Sequence, residues 1–372
     1  MLIKNATIFD NDFHIQEWDL RVSDGKISAL AAWGELEANQ GEEVLDLKGM
    51  TLAPGMLDIH IHGAVGMDTM DGTEDSLEAI SRFLASKGVT SFLPTTMTMG
   101  FEDIAQVFKL KPTLTGANML GFHMEGPFIN VTRKGAQNER YVRTATLAEM
   151  ARYGEDANVR IITLAPETEG ALDFIREMSR KTVISIGHTD ATYDEAKAAI
   201  AAGAPSVTHC FNAMPMLQHR APGVIGAAVQ SGIYGELICD GLHIHPATVY
   251  ANYKMFGPER MILISDSLRA AGLGDGTYEF GGQTIHVVND VARVEDGAIA
   301  GGVSNVWNNM RNCTKWGIPV ADALRMGSLT PAALIGADDS KGSLAVGKDA
   351  DFVVTNEQLD VLDVYIGGKK FR

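Results

Sequence analysis

The sequence predicts an α/β protein: a closed (β/α)8 TIM-like barrel with a small β-sandwich built from both chain ends. Three observations predict it. Buried-type apolar runs alternate with amphipathic stretches through the middle of the chain, the pattern of parallel strands and covering helices. Both ends instead carry short alternating strands, each set too small to fold alone. No phosphate-binding glycine loop follows the first middle strand, as a doubly wound open sheet would want. The 372 residues leave room for a barrel, which takes about 250, and one small further unit.

The elements follow in order. Residues 2–9 roughly alternate, and Asn11-Asp12 supplies turn chemistry. Residues 19–22 and 26–30 flank Asp24-Gly25, a strong hairpin signal. A short strand follows at 44–47. Residues 1–53 are therefore expected to join 339–372, where 351–354 and 361–366 read as strands closed by Gly367-Gly368. The barrel is expected over 54–338. Its strands are read at 56–62, 90–96, 119–125, 160–166, 182–188, 206–211, 236–243 and 261–266. Amphipathic stretches at 74–87, 170–180 and 194–202 fit covering helices. Residues 270–302 break the scheme with Gly-rich hairpin-like sequence, expected as an insertion near the barrel mouth.

Charge narrows the function. Lys and Arg number 31 against 47 Asp and Glu, a net charge of −16. Such a chain is a poor general binder of nucleic acid or of an anionic membrane. An anionic small molecule must be held by a local basic group. The three cysteines, Cys210, Cys239 and Cys313, are too few and odd in number for a disulfide scaffold, and fit a reducing compartment. Residues 1–6 carry no secretory pattern and no apolar run reaches the roughly 18 residues of a spanning helix, so the cytoplasm is expected.

The chemistry sits at strand ends. His60 and His62 lie two apart on one strand, so both imidazoles share a face. A histidine pair alone is as readily a pair of satisfied core or loop residues. Four further residues weigh against that. Glu125 closes the third strand, His188 the fifth, His209 the sixth and Asp266 the eighth. In a barrel these ends meet at one mouth, where active sites lie. One metal centre accounts for all six, whereas separate structural roles need several explanations. Nitrogen and carboxylate donors without cysteine suit Zn²⁺, Fe²⁺, Mn²⁺ or Co²⁺, at one or two ions per chain, and do not separate these metals. Other candidates read as structural. His123 shares a face with Glu125 and suits packing beneath the ligands. His245 reads as surface, His219 either supports Arg220 or is solvated, and Cys210 points away from His209 into packing.

Longer motifs add a resemblance. Thr208-His209-Cys210-Phe211-Asn212-Ala213-Met214, then His219-Arg220-Ala221-Pro222-Gly223, and His123-Met124-Glu125-Gly126-Pro127-Phe128 stand in the chain, with Lys341-Gly342-Ser343-Leu344-Ala345-Val346-Gly347-Lys348-Asp349-Ala350-Asp351 in the tail. Together they resemble the amidohydrolase superfamily, and within it the deacetylases of N-acetylated amino-sugar 6-phosphates. The resemblance covers nearly the whole chain. It implies hydrolysis of the N-acetyl group of N-acetylglucosamine 6-phosphate to glucosamine 6-phosphate and acetate. The galactosamine epimer is the alternative substrate. A barrel that has lost catalysis and serves as a binding module is a reading from another class, and the complete set of six residues argues against it.

Carried over position by position, the resemblance implies that Glu125, His188 and His209 are the common metal ligands. His60 and His62 match the pair of members that hold a second metal. Asp266 matches the general base, also close enough in pattern to count as a ligand. Asn212, Ala213, Arg220 and His243 match substrate-binding positions, and Ala136 and the Ile299-Ala300-Gly301 loop match further sugar contacts. Gln137 stands where some members carry a histidine that contacts the amide carbonyl; glutamine donates a hydrogen bond but carries no charge. Ser267 stands where alanine is common. The fourth strand ends Leu164-Ala165-Pro166-Glu167 with no lysine to bridge two metals, which leaves Glu125 for that role. A homodimer is implied, with the Arg220 loop able to reach its own or the neighbouring site. Chemically, a bound metal brings the pKa of water from 15.7 to about 7. Asp266 would take the proton and return it to the leaving amine.

Overall fold

A computed structural model describes residues 1–371 except 155, 156 and 296, so position 296 of the expected insertion and position 372 of the tail lie outside the described residues. The barrel strands are Met56–Ile61, Val89–Thr96, Phe122–Glu125, Val159–Leu164, Val183–Ile186, Ser206–Val207, Tyr234–Ile238 and Met261–Ile264. They pair in parallel and in chain order. The ring is brought round by a parallel bridge between Ile61 and Ser267, with Asp266 N donating to His60 O at 2.9 Å and His62 N to Ser267 O at 2.8 Å. The first strand and the segment after the eighth are thus stitched together at the level of the candidate ligands.

Helices cover the outside, each for a local reason. Thr73 caps Glu74–Ser86 by accepting from Ser76 N, and the helix turns Leu77, Ile80 and Leu84 inward. Thr192 and Glu195 form a capping box on Tyr193–Ala202. Strands covered in this way are buried on both faces, hence their continuous apolar runs.

Several strands stop sooner than their apolar runs suggest. The fifth ends at Ile186, the sixth at Val207 and the seventh at Ile238, not at 188, 211 and 243. The cause is backbone geometry. His188, His209, Phe211 and Ala213 have φ of 47°, 27°, 75° and 49°, a left-handed conformation that no strand continues through. After the seventh strand, Gly241 at φ 82° and the Asp240 carboxylate, which accepts from Leu242 N and His243 N, turn the chain instead.

The expected insertion forms a four-stranded antiparallel sheet of Gly276–Phe280, Gln283–Val288, Val291–Val294 and Ile299–Gly301. Its apolar residues Phe280, Ile285, Val287, Ala292 and Val294 pack with Met97, Ala136, Leu268 and Ala270, which lie around the barrel mouth. The chain ends share one eight-stranded sheet, in which Phe352–Thr355 pairs antiparallel with Thr51–Pro54. That sheet branches at Leu2–Phe9, whose free edge pairs first with Val44–Asp46 and then with Thr51 and Leu52. Its own core joins Ile3, Leu20 and Ile27 to Leu344, Phe352 and Tyr365. Asp24 and Gly25, at φ 51° and 76°, form the expected hairpin turn. Among the described residues no helix is long and apolar enough to cross a membrane.

Candidate metal centre

The six strand-end residues converge. Glu125 is the hub, 2% exposed. Its Oε1 lies 3.1 Å from His188 Nε2, 3.0 Å from His209 Nε2 and 3.4 Å from His60 Nε2. Its Oε2 lies 3.2 Å from His62 Nε2 and accepts from Gln137 Nε2 at 2.6 Å. Asp266 Oδ1 stands 3.5 Å from His60 Nε2 and 3.4 Å from His62 Nε2. His188 Nε2 and His209 Nε2 are 3.1 Å apart.

The other edge of three of the rings shows why their Nε2 atoms are available, while His209 Nδ1 is buried with no hydrogen-bond partner. His60 Nδ1 donates to Glu236 Oε2 at 3.1 Å, His62 Nδ1 to Thr95 O at 3.2 Å and His188 Nδ1 to Arg133 O at 2.9 Å. An oxygen acceptor on Nδ1 fixes that nitrogen as the protonated one. In the neutral ring the lone pair then sits on Nε2, facing Glu125. His60 Nε2 itself has no hydrogen-bond partner and is fully buried. Lone pairs from several imidazoles aimed at one carboxylate, with a second carboxylate beside it, are a donor set for a divalent cation. Two overlapping ligand groups result: Glu125 with His188 and His209, and Glu125 with His60 and His62.

The electrostatics point the same way. Burial works against charge on His60, yet Glu125 and Asp266 raise its pKa well above the usual histidine value. His62 is likewise opposed by burial and still pushed up to about 9, chiefly by Asp266 and Glu125. Burial would raise Glu125, but His60 and His188 hold it well below the carboxylate range. Burial is outweighed in the same manner at Asp266, which His60 and His62 lower. The cluster therefore stabilises positive charge strongly enough to overcome desolvation. Asp266, with 12% of its side chain exposed against 0–7% for the other five, is the member that faces outward.

The remaining expected site residues are placed as follows. Gln137 does not face outward toward a carbonyl. It is 3% exposed, and its amide is spent between Glu125 Oε2 and Thr98 N, which donates to Gln137 Oε1 at 2.7 Å. Ala136 is buried, and its carbonyl accepts from Gln283. Asn212 Nδ2 donates to His209 O at 3.2 Å, and Ala213 O accepts from Thr189 N at 3.1 Å; both brace the left-handed turn after His209. Ile299, Ala300 and Gly301 form a strand of the inserted sheet beside Asp266, with Gly302 N donating to Asp266 O at 2.7 Å. His243 is not a strand end: it lies in the turn after the seventh strand, its Nδ1 donating to Asp240 Oδ2 at 2.7 Å. Burial opposes its charge, but Asp240 raises its pKa. Arg220 is exposed and outside the cluster, its Nη1 donating to His219 Nε2 at 2.8 Å. His245 caps the helix Pro246–Phe256. His123 has both ring nitrogens engaged, with Ile59 O and Thr163 Oγ1, and burial holds its pKa well down. Cys210 packs in the main core, and all three cysteines are buried and unpaired.

Three contacts to the cluster lie outside the sequence expectations. Glu236, fully buried, holds His60. Asp58, pushed up to about 7 by burial, accepts from Ser265 Oγ at 2.5 Å and so ties the first strand to the eighth. Phe280 stands edge-on to His62, ring centroids 5.3 Å apart. The legible signal for the two acids was a charged residue inside an otherwise apolar strand; Phe280 carried none.

Comparison with known proteins adds the following. The amidohydrolase family model matches residues 51–371. The N-acetylglucosamine-6-phosphate deacetylase of Bacillus subtilis (strain 168) is 37% identical over 97% of this chain and 94% of its own length. The N-acetylgalactosamine-6-phosphate deacetylase of Escherichia coli O157:H7 is 34% identical over 95% of each. Among solved structures, the N-acetylglucosamine-6-phosphate deacetylase from Pasteurella multocida superposes with a TM-score of 0.92 at 31% identity, covering 99% of this chain and 98% of its own. A mutant of the Mycobacterium smegmatis enzyme in complex with N-acetyl-D-glucosamine-6-phosphate gives a TM-score of 0.91 at 30% identity, covering 100% and 99%.

Proposed function

The chain belongs to the amidohydrolase family, and from that premise we infer that it hydrolyses the acetamido group of N-acetylglucosamine 6-phosphate, releasing acetate and glucosamine 6-phosphate. The observation that carries the reading is the convergence of four Nε2 atoms on Glu125 with Asp266 at the outward edge. The residue roles are part of the proposal. Glu125, His188 and His209 would hold one divalent cation; His60, His62 and Glu125, with Asp266 beside them, would hold a second. Such ions supply Lewis acidity toward the amide carbonyl and toward water. Zn²⁺, Fe²⁺, Mn²⁺ and Co²⁺ all suit these donors.

Asp266 does the proton work. Its lowered pKa keeps it a carboxylate at neutral pH. It accepts a proton from the attacking water, and returns one to the amine nitrogen as the C–N bond breaks. Water oxygen and the acetyl carbon leave together as acetate. Gln137 keeps Glu125 Oε2 oriented, and Glu236 keeps His60 Nε2 forward. Arg220 offers a planar fork for phosphate, with His243 as a second cation. No carboxylate pairs with Arg220 among the described residues, and its loop exposes Met216 (78%) and Leu217 (40%). An apolar tip of this kind supports a homodimer in which the partner covers the loop. Three buried unpaired thiols support a cytoplasmic setting.

The test is acetate release from N-acetylglucosamine 6-phosphate, its galactosamine epimer and both unphosphorylated sugars, using metal-stripped protein reloaded with one metal at a time. Turnover of a phosphorylated sugar that depends on added metal is expected. Asp266→Asn should lower kcat by about 10²–10⁴. No acetate from either phosphorylated sugar, or an Asp266→Asn variant of near wild-type activity, refutes the reading.

A further inference from the structure

The two sides of Glu125 are supported by different parts of the molecule. On the Oε1 side, His188 is fixed by the Arg133 carbonyl and His60 by Glu236. On the Oε2 side the two contacts are His62 and Gln137. The tip of the inserted hairpin meets His62 directly and the Gln137 segment at the Ala136 carbonyl.

The hairpin is built to do this. Gly281 and Gly282 have φ of 57° and 77°, the geometry of a two-residue turn that only glycine enters freely. A two-residue turn places Phe280 and Gln283 directly opposite each other, as their pairing shows. Side chains at a paired position project from the same face of the ribbon. Here that face meets the barrel mouth. The Phe280 ring, 1% exposed, sits edge-on to His62 at 5.3 Å and an interplanar angle of 79°. Gln283 Nε2 donates to Ala136 O at 2.7 Å, and the next residue is Gln137. A side chain at Gly281 would stand 2.9 Å from Met97 Cε, the mobile end of that side chain, so the tip lies directly against Met97. Arg269 latches the hairpin from behind: its Nη2 lies 3.0 Å from Glu279 and 2.9 Å from Asp71. Asp71 belongs to the turn in which Thr69 N donates to His62 O at 2.7 Å.

We propose that Phe280 and Gln283 are positioning residues for the Oε2 side of the centre, and that the inserted hairpin sets the affinity of the His60–His62 ion independently of the Glu125–His188–His209 ion. The inference rests on the two-ion reading given above. Neither residue touches Glu125: Phe280 acts through the His62 ring, and Gln283 through the Ala136 carbonyl, one residue before Gln137. Phe280 limits the rotation of the His62 ring, and Gln283 holds the chain segment that carries Gln137.

The experiment is a Co²⁺ titration of the metal-free, full-length protein, read by bound equivalents and by the visible absorption of each equivalent. Wild type should take up two equivalents. Phe280→Ala should keep the first unchanged in affinity and spectrum. Its second should weaken by about 10- to 100-fold, the usual cost of losing a residue that orients a ligand, with an altered absorption band. Phe280→Leu, which restores bulk, should recover most of the loss. Gln283→Ala, at a half-buried position, should show the same selective effect more weakly. An unchanged second equivalent in Phe280→Ala and Gln283→Ala overturns the inference while leaving two ions in place. Equal weakening of both equivalents overturns it too, since that is general loosening. A wild type that binds one equivalent at saturation removes the two-ion reading itself.

Discussion

Gly302→Ala should impair catalysis without touching any group that reacts. Gly302 N donates to Asp266 O at 2.7 Å, and Gly302 O accepts from Leu268 N at 3.0 Å, so its backbone is laced to the segment that presents Asp266, the proposed base. A Cβ there would lie 2.5 Å from Ser265 O and 3.5 Å from Asp266 O. Carbon and oxygen in ordinary contact stand about 3.4 Å apart, so the strand end must retreat by about 0.9 Å or the inserted sheet must lift by as much. Either movement shifts Asp266, whose Oδ1 is 3.4–3.5 Å from His60 and His62. A misplacement of about 1 Å costs on the order of 10²-fold, so kcat should fall by roughly 10- to 100-fold. Overpacking of this kind should also destabilise the fold by about 1–3 kcal/mol. KM for the phosphorylated sugar should change little, because the proposed phosphate anchor lies on another loop. Steady-state kinetics, metal analysis and thermal unfolding on one preparation separate these effects. A variant that loads metal, unfolds as wild type does and keeps its kcat refutes the argument that Gly302 fixes the position of Asp266.

Two further outcomes are expected. Arg220→Ala should lower kcat/KM for the phosphorylated sugar by roughly 10- to 200-fold, from hydrogen bonds to charge at about 1.5–3 kcal/mol each, while slow hydrolysis of the unphosphorylated sugar stays as it was; an unchanged ratio of the two values removes Arg220 from phosphate recognition. Glu236→Gln should weaken metal binding by about 10- to 100-fold, because the buried carboxylate that orients His60 is replaced by an amide; competition against a calibrated chelator measures it, and equal affinity in both proteins would show that Glu236 serves packing alone.

The donors were legible because strand chemistry is simple. A buried strand is apolar by necessity, so a histidine or acid at its last position stands out, as at Glu125, His188, His209 and Asp266. The period of two also put His60 and His62 on one face. What the pattern could not show was where each strand stops. His188, His209 and Asp266 adopt φ of 47°, 27° and 47°, a conformation disfavoured for such side chains and held only by tertiary contacts. Apolar periodicity therefore ran on to 188, 211 and 243, and made a strand end of His243, which a turn built by Asp240 and Gly241 presents instead. Gln137 was legible as a site residue but not in its direction, because which neighbour an amide satisfies depends on residues such as Thr98. Asp58 and Glu236, fully buried in otherwise apolar strands, went unread because the partners that satisfy them, Ser265 and His60, come from other strands.

The pairing of the chain ends orders events during synthesis. Thr51–Pro54 is held by Phe352–Thr355, residue against residue, and Gly55 N donates to Asp351 O at 3.1 Å. The first barrel strand begins at the next residue, Met56. His60 and His62 therefore emerge from the ribosome long before the segment that anchors their strand exists. Contacts so distant in sequence form late, after the intervening loop has closed. The other donors, Glu125, His188 and His209, emerge in between. A nascent chain thus carries most of its imidazoles through translation without the frame that aims them at one carboxylate. On the proposed two-ion reading, metal capture at the His60–His62 side would mark a finished polypeptide, and a chain cut short before residue 352 would keep its donors yet lack the clasp that brings the pair to bear.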